Sequence, residues 1–258
     1  MMKIRKIVTG ILLTAIAVGA CGCNQEKNYQ DEIRAAWSKT NSYDSANYTY
    51  SNSYTNTEGV TAKKIVQGAY NTAEETWSQI SAYGTQGIGK MEEVFSPDGV
   101  YVRYSLDGET WEKWGSIEAE VPEYAAYLKD VFAMEVSFDN FSSIIKEEVD
   151  EETVYTLTYK DSYMEAQVNE DLEAAEAYVE VLDSSGASEK EVETAQERVD
   201  SFKMMAGAQG QVIYYMDMEG NLTGIESKML MENGAGTGSV LRLEEFGQIS
   251  FEGYTQNP

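Results

Sequence analysis

In Asn47–Thr55 the rings of Tyr48, Tyr50 and Tyr54 fall on alternate positions, with Thr49, Ser51, Ser53 and Thr55 between them. A period of two places the rings on one side of a strand and the hydroxyls on the other, as in a half-buried antiparallel strand. Asn56-Thr57-Glu58-Gly59 supplies the turn that ends it. Val60–Tyr70, Thr76–Tyr83 and Lys90–Phe95 continue the strand-like text with less regular alternation. Ser96-Pro97-Asp98-Gly99 is a turn, and Val100–Tyr104 and Thr110–Trp114 flank Asp107-Gly108 as a predicted tight hairpin. Helical spacing marks Asp31–Lys39, through Ile33, Ala36 and Trp37, and a segment starting at Pro122, through Tyr124, Leu128, Val131 and Phe132. Thr153–Tyr159 reads as a strand. Residues 161–206 carry two helical stripes, one from Met164 to Leu182 and one from Val192 to Phe202. Ser162/Glu165 and Ser188/Glu191 have capping-box spacing, and Ser184-Ser185-Gly186-Ala187 separates the two stripes. Gln211–Met218, Leu222–Met231 and Ser239–Phe251 are predicted as the closing strands.

Strands before and after a helical insert point to an α+β fold built on one antiparallel sheet, with a helical hairpin at 161–206. No repeat of fixed period and no break in composition divides residues 31–258, which are expected to form a single domain.

The N-terminus reads differently. Lys3, Arg5 and Lys6 precede an uncharged run, Ile7–Ala20, that is too short for an ordinary membrane-spanning helix. Residues 1–20 are therefore expected to be a signal peptide and 21–30 a polar tether. Val18-Gly19-Ala20-Cys21 resembles the lipobox of bacterial lipoproteins. That resemblance implies a diacylglycerol on the thiol of Cys21, which becomes the first mature residue. Cys23 fits the box less well, and a disulfide between the two cysteines would close only a three-residue loop outside the globular part.

Composition then narrows the partners. The chain of 258 residues has 44 Asp or Glu against 19 Lys or Arg, and its formal net charge is −25. Loss of residues 1–20, which hold three basic and no acidic groups, takes this to −28. Such a surface repels nucleic acid and anionic phospholipid alike, so acyl chains rather than the protein must hold it to a membrane. The chain has no histidine, which removes Ser-His, Cys-His and His-metal chemistry. Ser143-Ile144-Ile145-Lys146 has the Ser-x-x-Lys spacing of penicillin-recognising enzymes, but no Lys-Thr-Gly accompanies it. The acidic run Glu147–Glu152 is expected to be a solvated loop, and Asp217–Asn221 lacks the Gly and Glu spacing of a calcium loop. No catalytic, metal or cofactor site is expected.

Tyr104-Ser105-Leu106-Asp107-Gly108-Glu109-Thr110-Trp111-Glu112-Lys113 and Met216-Asp217-Met218-Glu219-Gly220-Asn221-Leu222 resemble the strand–turn–strand segments of small extracytoplasmic lipoproteins with a LolA/LppX-like domain. The resemblance implies a strongly curved antiparallel sheet, a half-barrel, with helices on its concave face and room there for lipid or another apolar ligand. The acidic insert at 161–206 departs from that pattern. The expected function is a lipid-anchored extracytoplasmic protein that binds a lipid or other apolar ligand, with Tyr48, Tyr50, Trp77 and Tyr83 lining the site. The alternative is a tethered protein–protein interaction or sensory module with no small-molecule ligand.

Overall fold

A computed structural model describes residues 22–83, 89–117 and 137–251, without the side chains of residues 22–25 and of Tyr83. The helix expected from Pro122 and the signal peptide with Cys21 lie outside the described residues. Eleven strands form one antiparallel sheet: β1 (Ser45–Thr55), β2 (Thr61–Asn71), β3 (Thr76–Tyr83), β4 (Gly89–Ser96), β5 (Gly99–Ser105), β6 (Gly115–Ile117), β7 (Phe141–Val149), β8 (Glu152–Tyr159), β9 (Gln209–Asp217), β10 (Leu222–Leu230) and β11 (Gly236–Glu244). Their spatial order is β6-β5-β4-β3-β2-β1-β11-β10-β9-β8-β7, so the sheet is not closed and β6 and β7 lie at opposite edges. Three helices accompany it among the described residues: α1 (Gly22–Thr40), α2 (Asp161–Ser185) and α3 (Glu189–Met204).

β1 and β11, far apart in sequence, pair at the middle of the sheet from Asn47–Glu244 to Thr55–Gly236. Paired residues in an antiparallel ladder share a face. The face that carries Tyr48 therefore carries Leu243 and Leu241 on β11, Ile225 on β10, Tyr214 on β9 and Tyr155 on β8. Ile33 and Ala36 of α1 are buried against Tyr155, Leu157, Val212, Tyr214 and Leu222 of that face. Ala46, Tyr48, Tyr70, Trp77 and Leu243 form a second cluster beside it.

The structure corrects several expectations. α1 begins at Gly22, so helix occupies residues whose polar text had suggested a tether. Residues 141–149 form a strand, and Glu147, Glu148 and Val149 of the acidic run belong to it; only Asp150 and Glu151 turn. Asp107-Gly108 makes no two-residue hairpin. The Asp107 carboxylate accepts backbone N–H groups of Glu109 at 2.9 Å and Thr110 at 2.7 Å, which opens a wider loop; the Glu112 N–H reaches the Tyr104 carbonyl at 2.8 Å, and the ladder resumes at Gly115–Ile117. Those hydrogen bonds hold the Asp107 carboxyl well below the usual carboxylate range. Ser162 lies inside α2 rather than at its cap, which is Lys160, whereas Ser188 and Glu191 do form the capping box of α3. Gly186, at φ 74°, closes α2 in the left-handed conformation.

The hairpin α2–α3 is buried along an inner seam of Met164, Val168, Ala175, Ala195 and Val199, with Glu173, Glu180 and Glu193 exposed. It meets the sheet at its base. There Met164 and Tyr159 fill the space over Gly210 that a Cβ would need. No described helix is long and apolar enough to cross a membrane.

Candidate functional site

One row of paired residues crosses the Tyr48 face from edge to centre: Lys146, Tyr155, Tyr214, Ile225, Leu241, Tyr50 and Val66. Its two halves differ in what covers them.

Over β7–β10 the cover is α1, held at its middle and at its C-terminal end. Midway along it Tyr29 packs edge-on against Tyr155, with centroids 5.8 Å apart. Glu32 accepts a hydrogen bond from the Tyr155 hydroxyl and pairs with Lys146 Nζ at 2.9 Å. Burial pushes the Glu32 pKa up, but the Tyr155 and Lys146 hydrogen bonds outweigh it and leave the carboxyl below its ordinary range. Burial, helped by the Glu32 hydrogen bond, pushes Tyr155 up to about 12. At the C-terminal end of α1 Thr40 Oγ1 accepts the Leu222 N–H at 2.7 Å, and Lys39 Nζ donates to the Glu219 carbonyl at 2.5 Å. The β9–β10 turn that receives α1 is braced by Asp217, whose carboxylate accepts from the Asn221 backbone and side chain, both at 2.8 Å. Asp217 of the calcium-like segment thus holds a turn.

Over β11, β1 and β2 no described helix covers the row. Leu241 and Val66 are half-buried, and Tyr50 is 38% exposed. Met91 and Tyr104, paired across β4 and β5 and half-buried, extend the same face. On one side of this apron lies the closed cluster around Tyr48. On the other, the next row reads Ser227, Ser239, Asn52 and Lys64, all polar. Tyr50 donates its hydroxyl to Asn52 Oδ1 at 2.7 Å and so ties the apolar row to the polar one.

Of the four residues expected to line a site, the structure brings Tyr48, Tyr50 and Trp77 to one face and gives them different surroundings. The Tyr48 ring lies over Gly68 of β2; its hydroxyl donates to the Ser78 carbonyl at 2.9 Å and accepts the Trp77 indole N–H. Trp77 stacks on Phe95 at 4.8 Å. Both residues are buried in the core, and burial drives the Tyr48 pKa far above that of free tyrosine. Tyr50 is open. The Tyr83 side chain is outside those described. Val66 and Leu241 escape sequence reasoning because only the cross-strand register brings them beside Tyr50, and Met91 and Tyr104, beyond Ser81 of β3, share only its face.

Ser143 and Lys146 lie three residues apart on β7, and their partners Thr158 and Tyr155 are on opposite faces, so no Ser–Lys pair exists. A separate groove of about 470 Å³ opens at the base of the hairpin. Its lining includes Met164, Val168 and Ala208, but also Asp161, Glu165 and Glu232, a polar and anionic wall ill suited to an acyl chain. No cluster of three or more Cys, Asp or Glu with metal-binding geometry occurs among the described residues.

No protein-family model matches the chain, and no curated protein matches it. Among solved structures it is similar to the lipoprotein LppX of Mycobacterium tuberculosis, at 11% identity and TM-score 0.42 over 87% of this chain and 98% of that one. It is also similar to LprF of Mycobacterium bovis, at 6% identity and TM-score 0.41 over 87% and 95%. A LolA-superfamily protein of Nitrosomonas europaea matches at 9% identity and TM-score 0.26 over 84% and 94%.

Proposed function

We propose that this protein is an extracytoplasmic lipoprotein, anchored through an acylated Cys21, that binds a lipid or other apolar molecule on the open half of its sheet. The observation that carries the reading is the row of Leu241, Tyr50 and Val66, which no described helix covers, with Met91 and Tyr104 on the same face beyond Ser81 of β3 and the polar row through Asn52 and Lys64 along its border. An apolar strip beside a polar rim fits an amphiphile, with its chain against the rings and its head at Asn52 and Lys64. Tyr48 and Trp77 would form the fixed wall of that strip. An open sheet of eleven strands rarely stays flat. Curling toward α1 would make the Tyr48 face the concave one, the half-barrel that the resemblance to LolA/LppX-like lipoproteins implies. The basic, apolar and lipobox segments of residues 3–21 support the anchor.

Delipidated mature protein should take up a fluorescent fatty acid, and Tyr50→Glu or Leu241→Glu should abolish uptake with little loss of stability at the exposed Tyr50. A wild-type protein that takes up no apolar probe would sink the binding reading. Cys21→Ser should move the protein from the membrane fraction to the soluble fraction, and continued membrane retention would remove the anchor assignment.

A further inference from the structure

The hairpin α2–α3 stands out from the sheet on one buried seam, and α2 alone is about 37 Å long at 1.5 Å per residue. A helix that packs through one stripe needs no second apolar stripe, yet α2 has one. Ala174, Ala177, Tyr178 and Val181 recur at spacings of three and four, and all four are exposed. Tyr178 is 54% exposed and Val181 60%, and the Tyr178 hydroxyl makes no hydrogen bond among the described residues. Val168 and Ala175, which are buried, and the half-buried Val179 lie about 130° further round the helix.

The surroundings of this stripe have one sign of charge. Glu170, Asp171, Glu173 and Glu180 stand three or four positions from its members, all exposed. Within residues 161–204 there are thirteen Asp or Glu and three Lys or Arg. One of the three, Lys203, is already paired with Glu176 at 3.4 Å. A second copy of this acidic arm is repelled from the stripe, and so is an anionic bilayer. An apolar strip that carries a tyrosine and is rimmed by carboxylates is complementary to a helix with its own apolar face edged by Lys and Arg.

We infer that the outer face of α2, centred on Tyr178 and Val181, is a docking surface for a basic amphipathic helix of a partner protein. The surface is independent of the proposed apolar site, which lies on the far part of the sheet. The apolar strip sets where the partner helix lies, and the carboxylates steer it in and select its charge.

The test uses the mature chain and a synthetic Lys/Leu peptide that forms a basic amphipathic helix, with a scrambled peptide of the same composition as control. Wild-type protein should bind the amphipathic peptide at least about tenfold more tightly than the scrambled one. Tyr178→Ser with Val181→Ser should weaken that binding about tenfold, and raising salt from about 50 to 300 mM should weaken it severalfold. Both residues are exposed, so the variant should keep its melting temperature, which is measured alongside. Equal binding of the two peptides would reduce the surface to a diffuse acidic face and overturn the inference. So would equal binding by wild type and variant, or no binding at all.

Discussion

Gly68 is the position where one methyl group should cost most. Tyr48 of β1 reaches β3 by lying across β2, and Gly68 is the β2 residue it crosses. A Cβ there would fall inside 3.0 Å of three atoms: the Ser78 carbonyl oxygen and the hydroxyl and Cζ of Tyr48. The first is sheet backbone and the others are fixed by the Trp77 and Ser78 hydrogen bonds, so none can yield cheaply. Overpacking of this kind costs about 1–3 kcal/mol. If the ring is expelled, two buried hydrogen bonds are lost at about 1 kcal/mol each. Gly68→Ala should therefore destabilise by about 3–5 kcal/mol, or roughly 10 °C in melting temperature for a chain of this size. Urea denaturation measures the first figure and a thermal melt the second. Tyr48→Leu supplies the cross-check, since it removes the ring tip and leaves only the carbonyl collision. In that background Gly68→Ala should cost at least about 1 kcal/mol less, a coupling that a double-mutant cycle reads directly. A Gly68→Ala protein that melts within about 2 °C of wild type, or costs that simply add, would refute the argument.

Three further outcomes follow from the same geometry. Arg103 pairs with the buried Glu92, its guanidinium 4.6 Å from the ring centres of both Trp111 and Trp114, so Arg103→Ala should cost about 3 kcal/mol and red-shift tryptophan emission; unchanged emission would mean that the two rings do not depend on it. Because the folded Glu32 pKa is depressed, its contribution is complete above the ordinary value near 4.5 and is lost as pH falls through the folded value, so Glu32→Gln should flatten the acid limb of a stability–pH curve; an unchanged limb would assign acid sensitivity elsewhere. Burial raises Tyr70, Tyr155 and Tyr215 to about 12, so their stabilising effect is present below pH 10 and lost above it; absorbance at 295 nm should show these rings ionising only as the protein unfolds, and a single titration near pH 10 in folded protein would contradict their burial.

The sequence made the strands of the first half legible because alternating rings and hydroxyls report a face directly. Thr76–Tyr83 was readable to the residue, and β1, β2, β4 and β5 to within two. β7 was not, since Ser142, Ser143, Glu147 and Glu148 leave no clean alternation and the strand is largely exposed. The tight hairpin at Asp107 failed because the carboxylate can serve N–H groups two and three residues ahead, a local option that a turn signature does not exclude. The candidate site shows the same limit more sharply. Tyr48 and Tyr50 are identical in pattern and share a face, yet one is buried and the other open. What separates them is Gly68 beneath one ring, Trp77 beside it and Val66 opposite the other, none of which lies within a turn of β1. Register decides a site of this kind, and register is a property of paired strands.

The two halves of the Tyr48 face are also unequal in what it takes to open them. Lifting α1 from β7–β10 breaks the Glu32–Lys146 pair, the Tyr155 hydrogen bond and the Thr40–Leu222 bond, and exposes Ile33 and the fully buried Tyr155 and Leu157. The part-exposed Glu32–Lys146 pair adds at most about 1 kcal/mol, each of the hydrogen bonds about 1 kcal/mol, and each buried side chain about 1.5–3 kcal/mol. Summed over these groups, the loss rivals the whole stability of an ordinary domain, so a ligand cannot enter beneath α1 without unfolding it. The Leu241–Tyr50–Val66 strip needs no such displacement among the described residues, because Tyr50 is already open and its one hydrogen bond is to Asn52 on its own strand. A guest that buries this strip gains apolar contact and breaks nothing of the kind that pins α1. The same helix that closes one half therefore leaves the other as the proposed binding surface, and with Gly22 its first residue, it follows directly on the proposed anchor at Cys21.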